Sequence, residues 1–358
     1  MNLVRKSSGM NVLDVASSFS WKWSLKDLLP PDKPVKVFST FSCGGGSTMG
    51  YKRAGFSVIG NVEIDKNMNS MYVKNHHPKY NFNMDLREFN VLSDLPKELY
   101  NLDILDGSPP CSTFSTAGQR EKSWGVAKRF REGQKKQILD DLFFVFLETV
   151  KKLAPKIVIA ENVTGLLIGN ARGYVHEIVN GFHEAGYEVQ IFRLSSATME
   201  VPQSRNRVFF IANNQHFPKI ELKFEYPVIR FGEVRTVEGK SFQNKDAKYK
   251  KLLEIAHPTD KNIASVKKRF NGKSSGFNHS IISDDDICPC MTSGGCKFRL
   301  YDRKYFSDGD YVNVQTFPQD YDFLGNNVQY VCGMSVPPNM MAHIAMQVWE
   351  QWLKHEMW

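Results

Sequence analysis

Residues 35–65 read VKVFSTFSCGGGSTMGYKRAGFSVIGNVEID, and the order of residue types along them decides the fold. The apolar run VKVFSTF has the length of a buried strand, and Gly44, Gly45 and Gly46 follow it before the helical stretch STMGYKRAGF. Glycine lets backbone approach a ligand closely, and here it would do so at a helix N-terminus on the carboxyl edge of a sheet. A second apolar run, FSVIGNVEI, carries Glu63 to the same edge about 20 residues later, where an acid accepts hydrogen bonds from ribose hydroxyls. A surface salt bridge is the alternative for Glu63; a helix cap is the alternative for Asp85 in MDLREF, a further candidate contact. Neither a G-x-x-x-x-G-K-S/T loop nor a G-x-G-x-x-G fingerprint follows the first strand. That favours a nucleoside cofactor without pyrophosphate, S-adenosylmethionine.

Outward from this stretch, LDILDGS, KIVIAEN, YEVQIFRL and RVFFIA read as further strands. KKQILDDLFFVFLETVKKLA and Tyr174 to Ala185 have apolar residues at helical spacing. Strands alternating with helices predict an α/β fold, a doubly wound parallel sheet that binds ligands at the carboxyl ends of its strands. The alternation defines a catalytic domain over 35–231, after an N-terminal extension (1–34) in which Trp21 and Trp23 offer apolar surface. Scattered aromatics, lysine pairs and Gly/Ser loops mark a smaller domain over 232–312. Residues 313–358 return to the catalytic domain, ending in a helix that Pro338 suits at its N-terminus.

The 358 residues carry 46 Lys and Arg against 38 Asp and Glu, a formal charge of +8 that suits an anionic partner such as nucleic acid. No run approaches the roughly 18 apolar residues of a membrane span, and no hydrophobic signal core opens the chain, so a cytoplasmic protein is expected. The six cysteines are too sparse for a disulfide framework and read as reduced thiols. Three of them, Cys288, Cys290 and Cys296, crowd into CPCMTSGGCKFR, but the one-residue spacing and the lack of a fourth ligand argue against zinc. No metal is expected.

LDILDGSPPCSTFS places Cys111 just beyond a strand, and Pro109 and Pro110 stiffen the turn so that it presents the thiol in one direction. PKIVIAENV delivers Glu161 and Asn162 to the same edge, and VPQSRNRVFF adds Arg205 and Arg207. A thiol, a carboxylic acid and guanidinium groups beside a nucleoside site form a coherent set for attack on an electron-poor ring.

In order, FSCGGG, EID, SPPC, ENV, QSRNR, QTFPQDY and GMSVPP resemble the DNA cytosine-5 methyltransferases of prokaryotic and phage restriction–modification systems, over nearly all the chain beyond the N-terminal extension. The resemblance implies that Cys111 adds to C6 of a cytosine flipped out of duplex DNA, and that Glu161 holds N3 protonated. Arg207 or Arg205 would hydrogen-bond O2, with positioning of the thiol a further role for Arg205. It further implies that Phe41, Cys43, Gly45 and Gly46 line the methionine end of S-adenosylmethionine. Glu63 would take the ribose, Ile64 the adenine face, Asp85 the adenine amino group and Ser335 the cofactor carboxylate. Implied DNA contacts are Ser115, Gln119, Arg120 and Gln203, with Thr292, Gly294 and Gly295 in a target-recognition domain. STAGQREKSWGVAKRFREGQKK would be a loop that folds over DNA. The family usually has glycine where Cys43 stands and asparagine where Met334 stands. A monomer acting beside a cognate restriction endonuclease is the implied setting. The competing readings are a tRNA cytosine-5 methyltransferase, whose typical Cys-Phe-Thr is not found, a nicotinamide oxidoreductase, and a catalytically silent DNA-binding protein.

Overall fold

Continuous apolar runs, buried on both faces, build the centre of the sheet. In the computed structural model, which describes residues 18–110, 141–168, 171–243, 246–272, 274–276 and 279–355, the opening run forms β1 (Lys36–Thr40). Beyond it come α1 (Gly46–Arg53), β2 (Ser57–Val62), α2 (Lys66–His76), β3 (Tyr80–Phe82), α3 (Leu86–Val91) and β4 (Ile104–Gly107). The catalytic body continues with α4 (Leu142–Leu153), β5 (Ile157–Val163), α5 (Ala171–Glu184), β6 (Glu188–Ser195), β7 (Gln203–Ser204) and β8 (Asn206–Asn213). The smaller region holds α6 (Phe231–Val234), α7 (Ala247–Glu254), α8 (Ile263–Asn271), β9 (Ser280–Ile282), β10 (Cys288–Pro289) and β11 (Lys297–Arg299). Then follow α9 (Asp308–Gln315), α10 (Val328–Met334) and α11 (Pro338–Gln351).

The main sheet has seven strands in the order β3-β2-β1-β4-β5-β8-β6. The chain moves outward through β2 and β3 and returns to β4 beside β1, so β1 and β4 flank the point where strand order reverses. Ligands of open α/β sheets bind at such a point. The all-parallel expectation fails at one strand: β8 lies between β5 and β6 and runs antiparallel to both. Its link from β6 is a 3₁₀ turn and the two-residue β7, without the long crossover that parallel neighbours require.

Alternate residues of the strands feed two cores. Phe38, Val158, Ala160, Val208 and Phe210 pack with Phe89 of α3, Phe146 of α4 and Phe182 of α5. Val37, Ile104, Ile159, Phe209 and Ile211 pack with Tyr51 of α1 and with Met341, Ile344 and Val348 of α11. The C-terminal helix therefore covers one face of the sheet, as expected. It lies so close to α1 that a Cβ on Gly50 would meet Met341 Cβ at 2.5 Å and Pro338 O at 2.7 Å.

The smaller region has its own core of Leu253, Ile263, Val266, Ile281 and Phe298. A further cluster joins it to the catalytic body, with Met49, Met68 and Met71 packing against Phe231, Met291, Phe306 and Val331. Trp21 and Trp23 of the N-terminal extension pack on that cluster, and the Arg53 guanidinium stands 4.6 Å from the Trp23 ring. A domain break at 312 would fall inside α9, which is one continuous helix.

Two glycines test this packing in opposite directions. Gly50→Ala gains about 1 kcal/mol of helix propensity, but its methyl meets α11 backbone, so a net loss of about 1–3 kcal/mol in urea unfolding is expected. Gly173→Ala in α5, with nothing within 4 Å of the added carbon, is expected to stabilise by up to about 1 kcal/mol.

Candidate active site

The strands at the switch point end in one cleft. Phe41 and Cys43 follow β1, Glu63 and Ile64 follow β2, Met84 and Asp85 follow β3, and Ser108 and Pro110 follow β4. Leu142, Tyr330 and Met334 close it from α4 and α10. Glu63 ties two of these loops together, its carboxylate accepting from Cys43 N at 2.7 Å and from Asp65 N at 2.8 Å. Burial pushes its carboxyl up to about 7, against the lowering effect of those two amides. Asp85 does both things expected of it: it caps α3 by accepting from Arg87 N at 2.8 Å, and it lines the cleft. Three acids, Glu63, Asp65 and Asp85, line the cleft, and among the described lining residues there is no lysine or arginine. This donor set repels a pyrophosphate and suits a nucleoside carrying positive charge, as the sulfonium and ammonium of S-adenosylmethionine do.

The glycines of the first loop face the other way. A Cβ on Gly45 would meet His76 Nε2 at 2.2 Å, and one on Gly46 would meet Val336 O at 2.1 Å. Neither glycine is on the cleft wall, and Ser335 lies behind it, its Oγ donating to Val331 O at 2.8 Å. Backbone freedom at Gly45 and Gly46 thus serves the close approach of protein to protein. Cys43 does line the cleft, in the left-handed region at φ 45°. Burial pushes its thiol up to about 12, with Glu63 adding to the effect, and this disfavours the nucleophilic thiolate.

Beside the cleft, β5 and β8 bring the acid and the guanidinium groups together. Arg207 Nε stands 2.8 Å from Glu161 Oε1, with both side chains largely buried. Arg205 is 3% exposed and donates through Nη1 to Met291 O at 3.0 Å and Gly333 O at 3.1 Å. Burial, then repulsion by Arg207, lowers its pKa to about 10, so it stays charged near neutrality. Asn162 Nδ2 donates to Pro109 O at 3.2 Å, tying the proline turn before Cys111 to the strand end that carries Glu161. Cys111, Ser115, Gln119 and Arg120 lie outside the described residues.

One expected DNA contact is corrected. Gln203 is fully buried, donating to Gln315 Oε1 at 2.8 Å and accepting from Met291 N at 2.8 Å. Both ends of its amide are used to fasten the smaller region to the catalytic body, and it offers DNA no surface. Thr292 and Gly294 are exposed, and Gly295 turns the chain at φ 82°. The three clustered thiols diverge: Cys288 enters the joining cluster, Cys296 packs on the core of the smaller region, and Cys290 faces Arg205 and Arg207. Asp106, which the sequence reading passed over, and Cys290, which it weighed only as a metal ligand, belong here. Asp106 in LDILD, under the cleft, accepts from Ser39 Oγ at 2.7 Å and Tyr51 OH at 3.2 Å, and an acid inside a strand run was its signal. Cys290 gave none beyond its thiol.

This sheet order, with an acidic cleft at its switch point, together with the family model that the sequence matches, places the chain in the α/β class of methyltransferases. Its fold is shared by solved structures of a proposed DNA modification methyltransferase encoded in an E. coli prophage (TM-score 0.64, 18% identity, 88% of this chain and 99% of that one) and of Spodoptera frugiperda DNMT2 (TM-score 0.61, 17% identity, 88% and 99%). The family model described as C-5 cytosine-specific DNA methylase matches residues 35–350, and the chain belongs to that family. Among its relatives, Type II methyltransferase M.Sau96I of Staphylococcus aureus is 29% identical over 340 residues, 87% of this chain and 75% of that protein. Type II methyltransferase M.FnuDI of Fusobacterium nucleatum is 34% identical over 194 residues, 54% of this chain and about half (51%) of that relative's length.

The buried acids make stability depend on pH. Burial pushes Asp106, like Glu63, up to about 7, well above its unfolded value. Such groups contribute stability that is fully present below about pH 4 and is lost as pH rises through 7. Buried His76, whose pKa burial lowers to about 3, acts in the opposite sense below its unfolded value. Urea unfolding from pH 5 to about 8 should therefore show a larger loss of stability in wild type than in Asp106→Asn. Cys43→Gly removes a left-handed side chain and is expected to raise stability by up to about 1 kcal/mol while S-adenosylmethionine binds as tightly or more tightly by calorimetry.

Proposed function

We propose that this protein transfers a methyl group to C5 of a flipped-out cytosine in a specific sequence of duplex DNA. The observation that carries this reading is the Glu161–Arg207 pair at 2.8 Å, set at the end of the sheet where Asn162 holds the Pro109–Pro110 turn. In the cleft, Glu63 would hold the ribose hydroxyls of S-adenosylmethionine, Ile64 and Phe41 its base and apolar surface, and Asp85 its adenine amino group. When bound, S-adenosylmethionine supplies an electrophilic methyl on a sulfonium.

The rest falls to the chain's own groups. Cytosine C6 is a poor electrophile, and the Cys111 thiolate would add to it while Glu161 keeps a proton on N3, drawing electrons from the ring. Arg207 would share its guanidinium between Glu161 and O2, where negative charge develops, and buried Arg205 would reinforce that field. Addition at C6 makes C5 nucleophilic enough to take the methyl. A base then removes the C5 proton, and elimination returns the thiolate of Cys111. Residues 232–312 would supply target recognition, with Thr292, Gly294 and Gly295 on the DNA side, in a monomer acting beside a cognate endonuclease.

With target duplex and cofactor labelled in the methyl group, wild-type protein should label DNA and Cys111→Ser should not. Glu161→Gln should slow single-turnover transfer by about a hundredfold or more with cofactor affinity retained. Label appearing in DNA at the wild-type rate in Cys111→Ser would refute the mechanism.

A further inference from the structure

A thiol of the smaller region stands between the two arginines of the proposed base pocket. β10 pairs with β7, Cys288 opposite Gln203 and Pro289 opposite Ser204, so the residues that follow, Cys290 and Arg205, leave the bridge side by side. Arg205 Nη1 donates to Cys290 Sγ at 3.8 Å, and Arg207 Nη2 donates to the same sulfur at 3.9 Å. On its other side Arg207 meets Glu161 at 2.8 Å, so carboxylate, guanidinium, sulfur and guanidinium form one chain of contacts. A neutral thiol is a weak acceptor, whereas two guanidinium donors favour the thiolate. Burial opposes that ionisation, but Arg205 and Arg207 outweigh it and the Cys290 thiol lies below its ordinary range. The other charged or titratable groups facing it are Lys297, whose Nζ reaches Cys290 O at 3.5 Å, Cys288 on the same strand and Glu161 through Arg207.

We propose that Cys290 is a positioning residue for methyl transfer: its sulfur holds Arg205 and Arg207 in register with Glu161, so that the segment reading the DNA also sets the base pocket. The proposal rests on the reading of Glu161 and Arg207 as groups that bind the target base. Its mechanical basis is the continuity of the segment. Cys290 lies two residues before exposed Thr292, and the backbone of Thr292 seats on Gly333, where a Cβ would meet Thr292 C at 2.4 Å. Gly333 O is also an acceptor of Arg205, and the next residue, Met334, lines the cofactor cleft. Displacement of the segment on DNA therefore moves the sulfur, the arginines and the cofactor wall together.

Two measurements decide it. Alkylation of Cys290 by iodoacetamide, followed by mass spectrometry from about pH 6 to 10, should show a midpoint below the ordinary thiol range. That midpoint should rise in Arg207→Gln. A midpoint at or above the ordinary range, one unmoved by Arg207→Gln, or no alkylation of Cys290 overturns the proposal. In single-turnover transfer, Cys290→Ser should be about tenfold slower, with unchanged cofactor affinity and one ionisation missing from its pH profile. A serine variant with the wild-type rate and profile also overturns it. If wild-type protein transfers no methyl to cytosine, the proposed function fails instead, and the alkylation series still decides whether the two arginines hold Cys290 as a thiolate.

Discussion

The structure depends on the close approach of the C-terminal segment to the loop after β1. Gly44, Gly46 and Gly50 present no side chains, so Val331, Val336 and α11 come within van der Waals distance of β1's loop and of α1. Tyr321 OH donates to Gly44 O at 2.6 Å and completes the contact. Because α10 closes the cleft, a segment more than 280 residues distant becomes a wall of the site that follows β1. The loop at Cys43 is then held from three sides, by Glu63, by His76 and by the C-terminal segment. That constraint explains how Phe41 and Cys43 persist in the left-handed region.

Charge is sorted between the two halves of the site. The cofactor cleft is acidic on its walls, while the neighbouring pocket gathers Arg205 and Arg207 about Glu161 and Cys290. Opposite fields on neighbouring parts of the site would suit the proposed cationic cofactor and polyanionic duplex side by side. Backbone carbonyls of Met291 and Gly333 hold Arg205 where its charge is needed, even though burial disfavours it.

Much of this was legible in local pattern. Short continuous apolar runs in KIVIAEN and RVFFIA marked β5 and β8, and the helical spacing of 174–185 matched α5 to within three residues at either end. Tyr80–Phe82 escaped notice because three residues hold no period, and the direction of β8 depends on how short its connection is, which strand pattern does not encode. Glu63, Glu161 and Arg207 were found because each ends or adjoins a strand, and Asp85 because an acid before an apolar helical run reads as a cap. Gln203 was misread because a polar residue in a motif looks the same whether its amide faces DNA or fastens two parts of the chain.

By itself the sequence determined the α/β class, the carboxyl edge of the sheet where the candidate residues gather, and the family, because these follow from apolar runs, from glycine and proline punctuation, and from residue types at strand ends. Only the tertiary structure decided that FSCGGG serves packing as much as ligand approach, that Gln203 is a fastener, and that Cys290 faces two arginines. Each of those depends on contacts between residues more than 30 positions apart, where burial and charge are set by partners that no local pattern reveals.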